Sequence, residues 1–223
     1  MQSMQLVTPV PFSAVVKPKP VPKPRPSARA QVTTRLATAQ DAAILQPIIR
    51  TAYASDKNWT NQSAFIKDER ISVEELLEII KKGVDPVIVA EVNGKVVGCV
   101  QVEFCRNHPD LNLPKDSALF GLLSVHHAYE SLGIGWKLGQ AAFDVARAAN
   151  CRTGTIFVVN KRSDVQKWYE RRGFKWTGET RDFTFSGKVL QKDVWFRVYV
   201  KDLLVEDRQA QQKQQQYILQ SRL

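Results

Sequence analysis

This 223-residue sequence has no long apolar run, no closely spaced pair of cysteines and no acidic residue near its N-terminus. No stretch approaches the roughly 18 to 20 uninterrupted apolar residues of a membrane-spanning helix, and no compact apolar run followed by a cleavage site opens the chain. The three cysteines are scattered and form no CxxC pair, which argues against a zinc site or a redox dithiol. We therefore expect a cytoplasmic protein with reduced thiols, no bound metal and no membrane span.

Because the N-terminal region has no acidic residues, most of the net positive charge of the chain lies there. Residues 1–40 contain six lysine and arginine residues and no Asp or Glu, so only +4 of the net charge of +10 belongs to residues 41–223. A domain that binds nucleic acid clusters cations on its own folded surface. We therefore expect no nucleic-acid partner.

Proline is concentrated in the same region, since seven of the eleven prolines lie in the first 26 residues. Dense proline favours an extended spacer and opposes the amphipathic helix of a transit peptide. We predict a disordered basic tail over residues 1–31, one folded domain over 32–204 and a glutamine-rich tail over 205–223. Nuclear or mitochondrial targeting by the first tail stays an alternative to a cytoplasmic location.

Apolar periodicity predicts alternating strands and helices within the folded domain. Residues 38–41 and 72–75 have the spacing of a capping box before a helix, and the pair Asn93-Gly94 predicts a hairpin. The order βααββ and then βαβαββ predicts an α/β (α+β) fold with one mixed sheet, in which an antiparallel meander leads into parallel βαβ units, with helices on both faces. The predicted strands cover residues 32–37, 87–92, 95–104, 118–125, 155–160, 174–180 and 194–200.

A strand, a glycine turn and a long helix follow one another from residue 118. The first N–H groups of a helix have no intrahelical partner, and Gly133 and Gly135 allow close backbone approach, which is how anions are bound. A tight strand-to-helix turn without a ligand is the alternative interpretation. The turn is neither a Walker A loop nor a complete GxGxxG motif. The expected buried face of the helix consists of Ile134, Leu138, Ala141, Val145 and Ala148.

The segments LSVHHAYESLGIGWKL, VVN and WYERRGF, at this spacing, resemble the GNAT superfamily of N-acetyltransferases. The segments AYASDKNWT and WYERRGF also look like a little-characterised subgroup with a WT-containing acceptor loop. The resemblance implies a mostly antiparallel GNAT-like sheet whose fourth and fifth strands are parallel. It further implies acetyl-CoA as co-substrate and a small-molecule or peptide amine as acceptor, and it leaves a homodimer open. A non-catalytic acyl-CoA sensor of the same fold is the alternative function.

The resemblance implies a set of cofactor-binding residues on the strand, in the turn and after the next strand. Glu130 stands where the family usually has Gln or Arg. Asn160 is either a cofactor contact or a cap of the following helix. The expected cofactor residues are Leu123, Ser124, Val125, Glu130, Ser131, Leu132, Gly133, Ile134, Gly135, Trp136 and Asn160.

Catalysis needs a proton donor for the leaving thiolate and a base for the acceptor amine. The resemblance assigns the donor role to Tyr169, whose alternative is a core aromatic beside its neighbour. The glutamate often found on the fourth strand is absent because Gly121 occupies that position. Glu103 is therefore the candidate base.

Two further pairs of residues are candidates for the site. His126 and His127 are alternative bases, and as neighbours on an extended chain they should point to opposite faces. Trp59 and Thr60 lie in the expected acceptor loop, where the tryptophan is either a pocket wall or a plug that anchors the loop.

Overall fold

The computed structural model describes residues 31–54, 70–182, 184–185, 188–189 and 193–204. Apart from residue 31, both predicted tails lie outside the described residues, so the domain bounds stay a prediction. No helix in the described ranges is long and apolar enough to cross a membrane. The elements are, in chain order, β1 (Val32–Leu36), α1 (Ala42–Ala54), α2 (Val73–Lys82), β2 (Val87–Val92), β3 (Lys95–Phe104), β4 (Ser117–Val125), α3 (Ile134–Ala148), β5 (Thr153–Val159), α4 (Ser163–Glu170), β6 (Lys175–Asp182), β7 (Thr184–Phe185), β8 (Lys188–Val189) and β9 (Trp195–Asp202).

Seven of these strands form one sheet in the order β1-β2-β3-β4-β5-β9-β6, while β7 and β8 pair separately. The sheet is mixed and mostly antiparallel, with one parallel pair, β4 and β5, so the predicted fold class is confirmed. The second βαβ unit is present without direct pairing: β9 lies between β5 and β6 and is antiparallel to both, so β5 and β6 run in the same direction but are not hydrogen-bonded to each other. The β7–β8 pair was not predicted.

Local signals in the sequence account for most element boundaries. The Ser72 hydroxyl accepts from the Glu75 N–H at 3.1 Å, and the Glu75 carboxylate accepts from the Ser72 N–H at 2.8 Å, which confirms the capping box of α2. That helix ends at Gly83 in the left-handed conformation. Asn93 and Gly94 both have positive φ, as the two-residue hairpin turn between β2 and β3 requires.

Each face of the sheet carries its own apolar core. One core lies between the sheet and α3, with side chains of α4 packed against it, and the other lies under α1 and α2. Helices therefore cover both faces, as predicted. The expected buried face of α3 is partly wrong, because Ala142 and Ala146 are buried whereas Ala148 is exposed. The buried stripe follows i, i+4 steps from Ile134.

A bulge in β4 separates that strand from β5. Cys99 is paired with Ser124 and Gln101 with Gly121, so β4 contains one more residue than β3 in this interval. Leu122 within this interval has a φ of 50°. The β4–β5 pairing spans only Ser117–Leu119 on the β4 side, and no later residue in the described part of β4 is paired with β5. Past Leu119 the two strands part, and β5 continues beside β9 alone.

We expect Gly98→Ala to destabilise the protein because β3 and β4 approach each other closely at the bulge. A Cβ atom on Gly98 would lie 2.5 Å from the Ser124 carbonyl oxygen and 3.2 Å from the Val125 Cα, and neither backbone atom can turn away. The free energy of unfolding should fall by about 2 kcal/mol or more in urea denaturation. Gly139→Ala in α3 is the control, since its Cβ would lie 3.6 Å from the Trp136 ring and helix propensity favours alanine. Equal stability of Gly98→Ala and the parent protein would contradict the close approach.

Candidate active site

The glycine turn borders a cleft of about 580 Å³ that lies between the end of β4, the first turn of α3 and α4. Both walls supply polar groups, and the indoles of the helices supply the apolar part. The lining residues are Val125, Tyr129, Glu130, Ser131, Gly133, Ile134, Gly135, Trp136, Asp164, Trp168, Arg171 and Arg172.

Main-chain donors converge on this cleft at the start of α3. Gly133 is the N-cap residue with a φ of 78°, and its carbonyl accepts from the N–H groups of Trp136 and Lys137 at 3.1 and 3.0 Å. The N–H groups before Trp136 come too early in the helix to reach an intrahelical carbonyl. They belong to Ile134 and Gly135, which line the cleft. The positive end of the helix dipole adds to their attraction for an anion.

A small apolar pocket of about 20 Å³ lies next to the cleft, at the place where β4 and β5 part. The two cavities share the Trp136 and Trp168 side chains. Leu123 of β4, Ile156 of β5 and Tyr169 of α4 all line the pocket. The arrangement places a polar cleft suited to a charged group beside a small apolar slot.

Tyr169 is partly buried in this pocket among aromatic side chains. Its ring lies perpendicular to that of Trp168, with 4.8 Å between centroids, and 5.3 Å from the centroid of Phe174. Burial raises the pKa of Tyr169, and the nearby Tyr53 hydroxyl on α1 raises it further, whereas Arg172 acts in the opposite direction. The hydroxyl therefore stays protonated near neutral pH and can donate its proton.

Glu103 lies on the α1/α2 side of the sheet, beside Gly121. A Cβ atom on Gly121 would lie 3.1 Å from Glu103 Oε1, so the carboxylate of β3 fills the space that a side chain on β4 would take. Burial raises the pKa of Glu103, and Asp85 and Asp110 raise it further. His108 opposes them, but its ring is itself paired with Asp85 at 2.6 Å. A carboxyl group with a raised pKa is suited to proton transfer.

The two histidines stand apart from the cleft. Their ring centroids are 4.5 Å apart and stacked, so the expectation that they point to opposite faces is wrong. The chain enters a 3₁₀ turn at His127 instead of continuing as a strand. His126 accepts from the Ala128 N–H at 3.2 Å, and burial lowers the pKa of His126. Both rings line a separate pocket beside α1.

Other residues predicted for the site have different surroundings. The Asn160 carboxamide donates to the Asp193 carbonyl at 3.1 Å and accepts from the Trp195 N–H at 3.3 Å, so it fixes the start of β9 and does not line the cleft. Leu132 is exposed beside the turn. The Ser124 hydroxyl is buried and has no hydrogen-bond partner in the described parts of the chain. Trp59 and Thr60 lie outside the described residues.

Sequence reasoning missed the two arginines of the cleft, Arg171 and Arg172. They follow the last turn of α4, and the Arg172 guanidinium lies 3.7 Å from the centroid of the Trp168 ring and 5.1 Å from that of Trp136. The i, i+4 spacing of Trp168 and Arg172 is a signal that could have found this contact. No group of three or more metal-ligating side chains occurs among the residues whose placement is described.

Comparison with known proteins agrees with this geometry. Residues 84–176 match the acetyltransferase (GNAT) domain. The fold is GNAT-like. The matched residues run from the start of β2 into β6 and include the glycine turn, Glu103 and Tyr169. No curated protein matches the chain.

Solved structures show the same GNAT fold at low sequence identity. An N-acetyltransferase from Staphylococcus aureus Mu50 is 18% identical, with 78% of this chain and 99% of that chain covered and a TM-score of 0.60. YncA, a putative acetyltransferase from Salmonella typhimurium solved with its cofactor acetyl-CoA, is 20% identical over 78% of this chain and 94% of its own, with a TM-score of 0.59. A ribosomal-protein-alanine N-acetyltransferase from Brucella melitensis is 19% identical over 76% and 99%, with a TM-score of 0.59.

Proposed function

We propose that the protein is an acetyl-CoA-dependent N-acetyltransferase that moves an acetyl group directly to a primary amine in a ternary complex. The observation that carries the proposal is the position of the cleft with its main-chain donors at α3, directly beside the apolar slot where β4 and β5 part. The cleft suits phosphate groups, and the slot lies at the β4–β5 opening, where an uncharged chain would extend toward Tyr169. An acyl-CoA combines these two chemical characters in one molecule.

On the cofactor side, backbone groups would hold the ligand. The N–H groups of Gly135 and its neighbours would bind phosphate, and the Trp136 side chain would form one wall of the apolar slot. The backbone of β4 past Leu119 is not paired with β5, so its groups near Leu123 and Val125 can bond a bound chain and polarise its carbonyl. Acetyl-CoA would supply the thioester.

On the reaction side, two side chains would move protons. Tyr169, neutral at physiological pH, would donate to the departing sulfur. Glu103 would accept the proton of the acceptor ammonium, directly or through water, and its raised pKa makes it a stronger base than an exposed carboxylate. Holding amine and thioester together on opposite sides of the β4–β5 opening would supply much of the rate.

A non-catalytic acyl-CoA sensor is the second candidate, and Gly121 is the observation that favours it. The family often has a glutamate at this place on β4, whereas the carboxylate here comes from β3. A sensor would use the cleft and the slot but neither proton carrier.

Tyr169→Phe distinguishes the two candidates. The substitution keeps the ring that packs against Trp168 and Phe174 and removes only the proton donor. We expect kcat, measured as amine-dependent thiol release, to fall about 10²-fold, and the Kd for acetyl-CoA in calorimetry to stay unchanged. Tyr199→Phe is the control because its hydroxyl bonds Glu170 outside the cleft. Tight acetyl-CoA binding without thiol release for any amine of a broad panel would favour the sensor.

A further inference from the structure

We propose that Arg172 binds a phosphate group of the bound coenzyme and so forms, opposite the backbone donors of α3, the second half of a phosphate clamp. This inference rests on the proposed function, since it names a ligand of the same cleft. Arg172 and Gly133 line that cleft together, one at the end of α4 and the other at the start of α3.

The guanidinium of Arg172 is held in a fixed orientation but is not neutralised. It stacks on the face of Trp168 at 3.7 Å and faces Trp136 at 5.1 Å. One of its terminal nitrogens donates to the Trp168 carbonyl at 3.0 Å. Its Nε is buried and has no hydrogen-bond partner among the described residues. Two indoles and one carbonyl therefore fix the plane of the group and leave donors unused.

No carboxylate of the described residues forms an ion pair with Arg172. Asp164 lines the same cleft, but it is paired with Arg162 at 2.8 Å. The exposed Arg171 next to it adds positive charge, and burial and this neighbour both lower the pKa of Arg172. A partly desolvated cation without a counter-ion is unfavourable in the free protein. A bound anion would remove that penalty.

Phosphate fits these requirements better than a carboxylate ligand from the chain would. The planar fork of arginine bonds phosphate oxygens in a bidentate manner, and the main-chain N–H groups across the cleft bind the same chemistry. A coenzyme A molecule offers two such groups, the pyrophosphate and the 3′-phosphate. Arg172 could bind either group. The two cases are distinguished by how removal of the 3′-phosphate from the coenzyme changes the effect of an Arg172 substitution on affinity.

The test is calorimetric titration of the full chain with acetyl-CoA and with 3′-dephospho-acetyl-CoA. Wild type, Arg172→Gln, Arg172→Lys and Arg152→Gln would be compared. Arg152 is exposed before β5, so its variant controls for net charge. We expect Arg172→Gln to weaken acetyl-CoA binding about 30-fold, Arg172→Lys to weaken it less, and Arg152→Gln to leave it unchanged. Thermal melts of the free variants would separate loss of a ligand contact from loss of packing.

The two ligands locate the contact. If Arg172 binds the 3′-phosphate, Arg172→Gln should weaken acetyl-CoA binding but not the binding of the dephospho form. If Arg172 binds the pyrophosphate, the variant should weaken both ligands by the same factor. Wild-type affinity of Arg172→Gln for both ligands would overturn the inference while leaving the proposed function intact. Failure of the wild type to bind either ligand would overturn both.

Discussion

Gly135→Asp should abolish acetyl-CoA binding without unfolding the protein. A Cβ atom at this position would lie 3.8 Å from Val125 Cγ2 and 3.9 Å from Trp168 Cζ2, both ordinary contact distances, so the protein itself tolerates a side chain. An acidic residue in the first turn of α3 also interacts favourably with the helix dipole. Stability should therefore be unchanged or slightly higher.

The same carboxylate would repel phosphate in the cleft. Like charges placed together in an interface cost several kcal/mol, which corresponds to a loss of about 10³-fold in affinity. Calorimetry would measure the Kd, and a urea titration would measure stability. Gly135→Asn is the matched control, since it has nearly the same shape and no charge, and its loss should be much smaller. Equal losses for both variants would show that space alone, and not charge, governs the cleft.

Glu103→Gln should lower kcat/KM for the acceptor amine about 10³-fold, as expected for removal of a general base. Because the base must be unprotonated to accept a proton, the rate of the parent protein should rise with pH through the pKa of Glu103. Burial raises that pKa, so the rise should occur above the usual range of a glutamate. The variant should lose this rise, and its Kd for acetyl-CoA should stay unchanged.

Asp110→Asn provides the matched control for that experiment. Asp110 raises the pKa of Glu103 electrostatically, so its neutralisation should shift the rise of the rate to lower pH and leave the plateau in place. A Glu103→Gln variant that keeps both the rate and the pH profile of the parent protein would show that Glu103 is not the base. The histidine pair beside α1 would then be the next candidate.

The features that could be predicted from the sequence are those that depend on a few neighbouring residues. The capping box of α2, the hairpin turn at Asn93 and the glycine turn at Gly133 that begins α3 are each decided within four or five positions. For the same reason, the element order and the mixed sheet could be predicted. The prediction of the buried face of α3 was partly wrong because the helix lies between a core and a cleft. An apolar residue on this helix therefore does not identify which side is buried.

The features that could not be predicted depend on register and on contacts between distant segments. Glu103 fills the space beside Gly121 only because β3 and β4 pair in the observed register, with the bulge at Leu122. Arg172 lies 5.1 Å from the centroid of the Trp136 ring, although the two residues are 36 positions apart and belong to different segments. Asn160 is engaged by the backbone of β9, more than 30 positions away, which no local pattern indicates.

The short β4–β5 pairing has a consequence for how the molecule unfolds. The strands β1 to β4 on one side and β5, β9 and β6 on the other meet in the sheet through three residue pairs only. Backbone pairing therefore contributes little to the link between these two halves, and the link depends on the apolar core that Ile156 and Tyr199 share with α3, β3 and β4. A ligand in the cleft touches α3, which packs on β1 to β4, and also α4, which follows β5. Binding would therefore add a second link between the two halves, and a bound coenzyme would stabilise the whole sheet against unfolding as well as take part in the reaction.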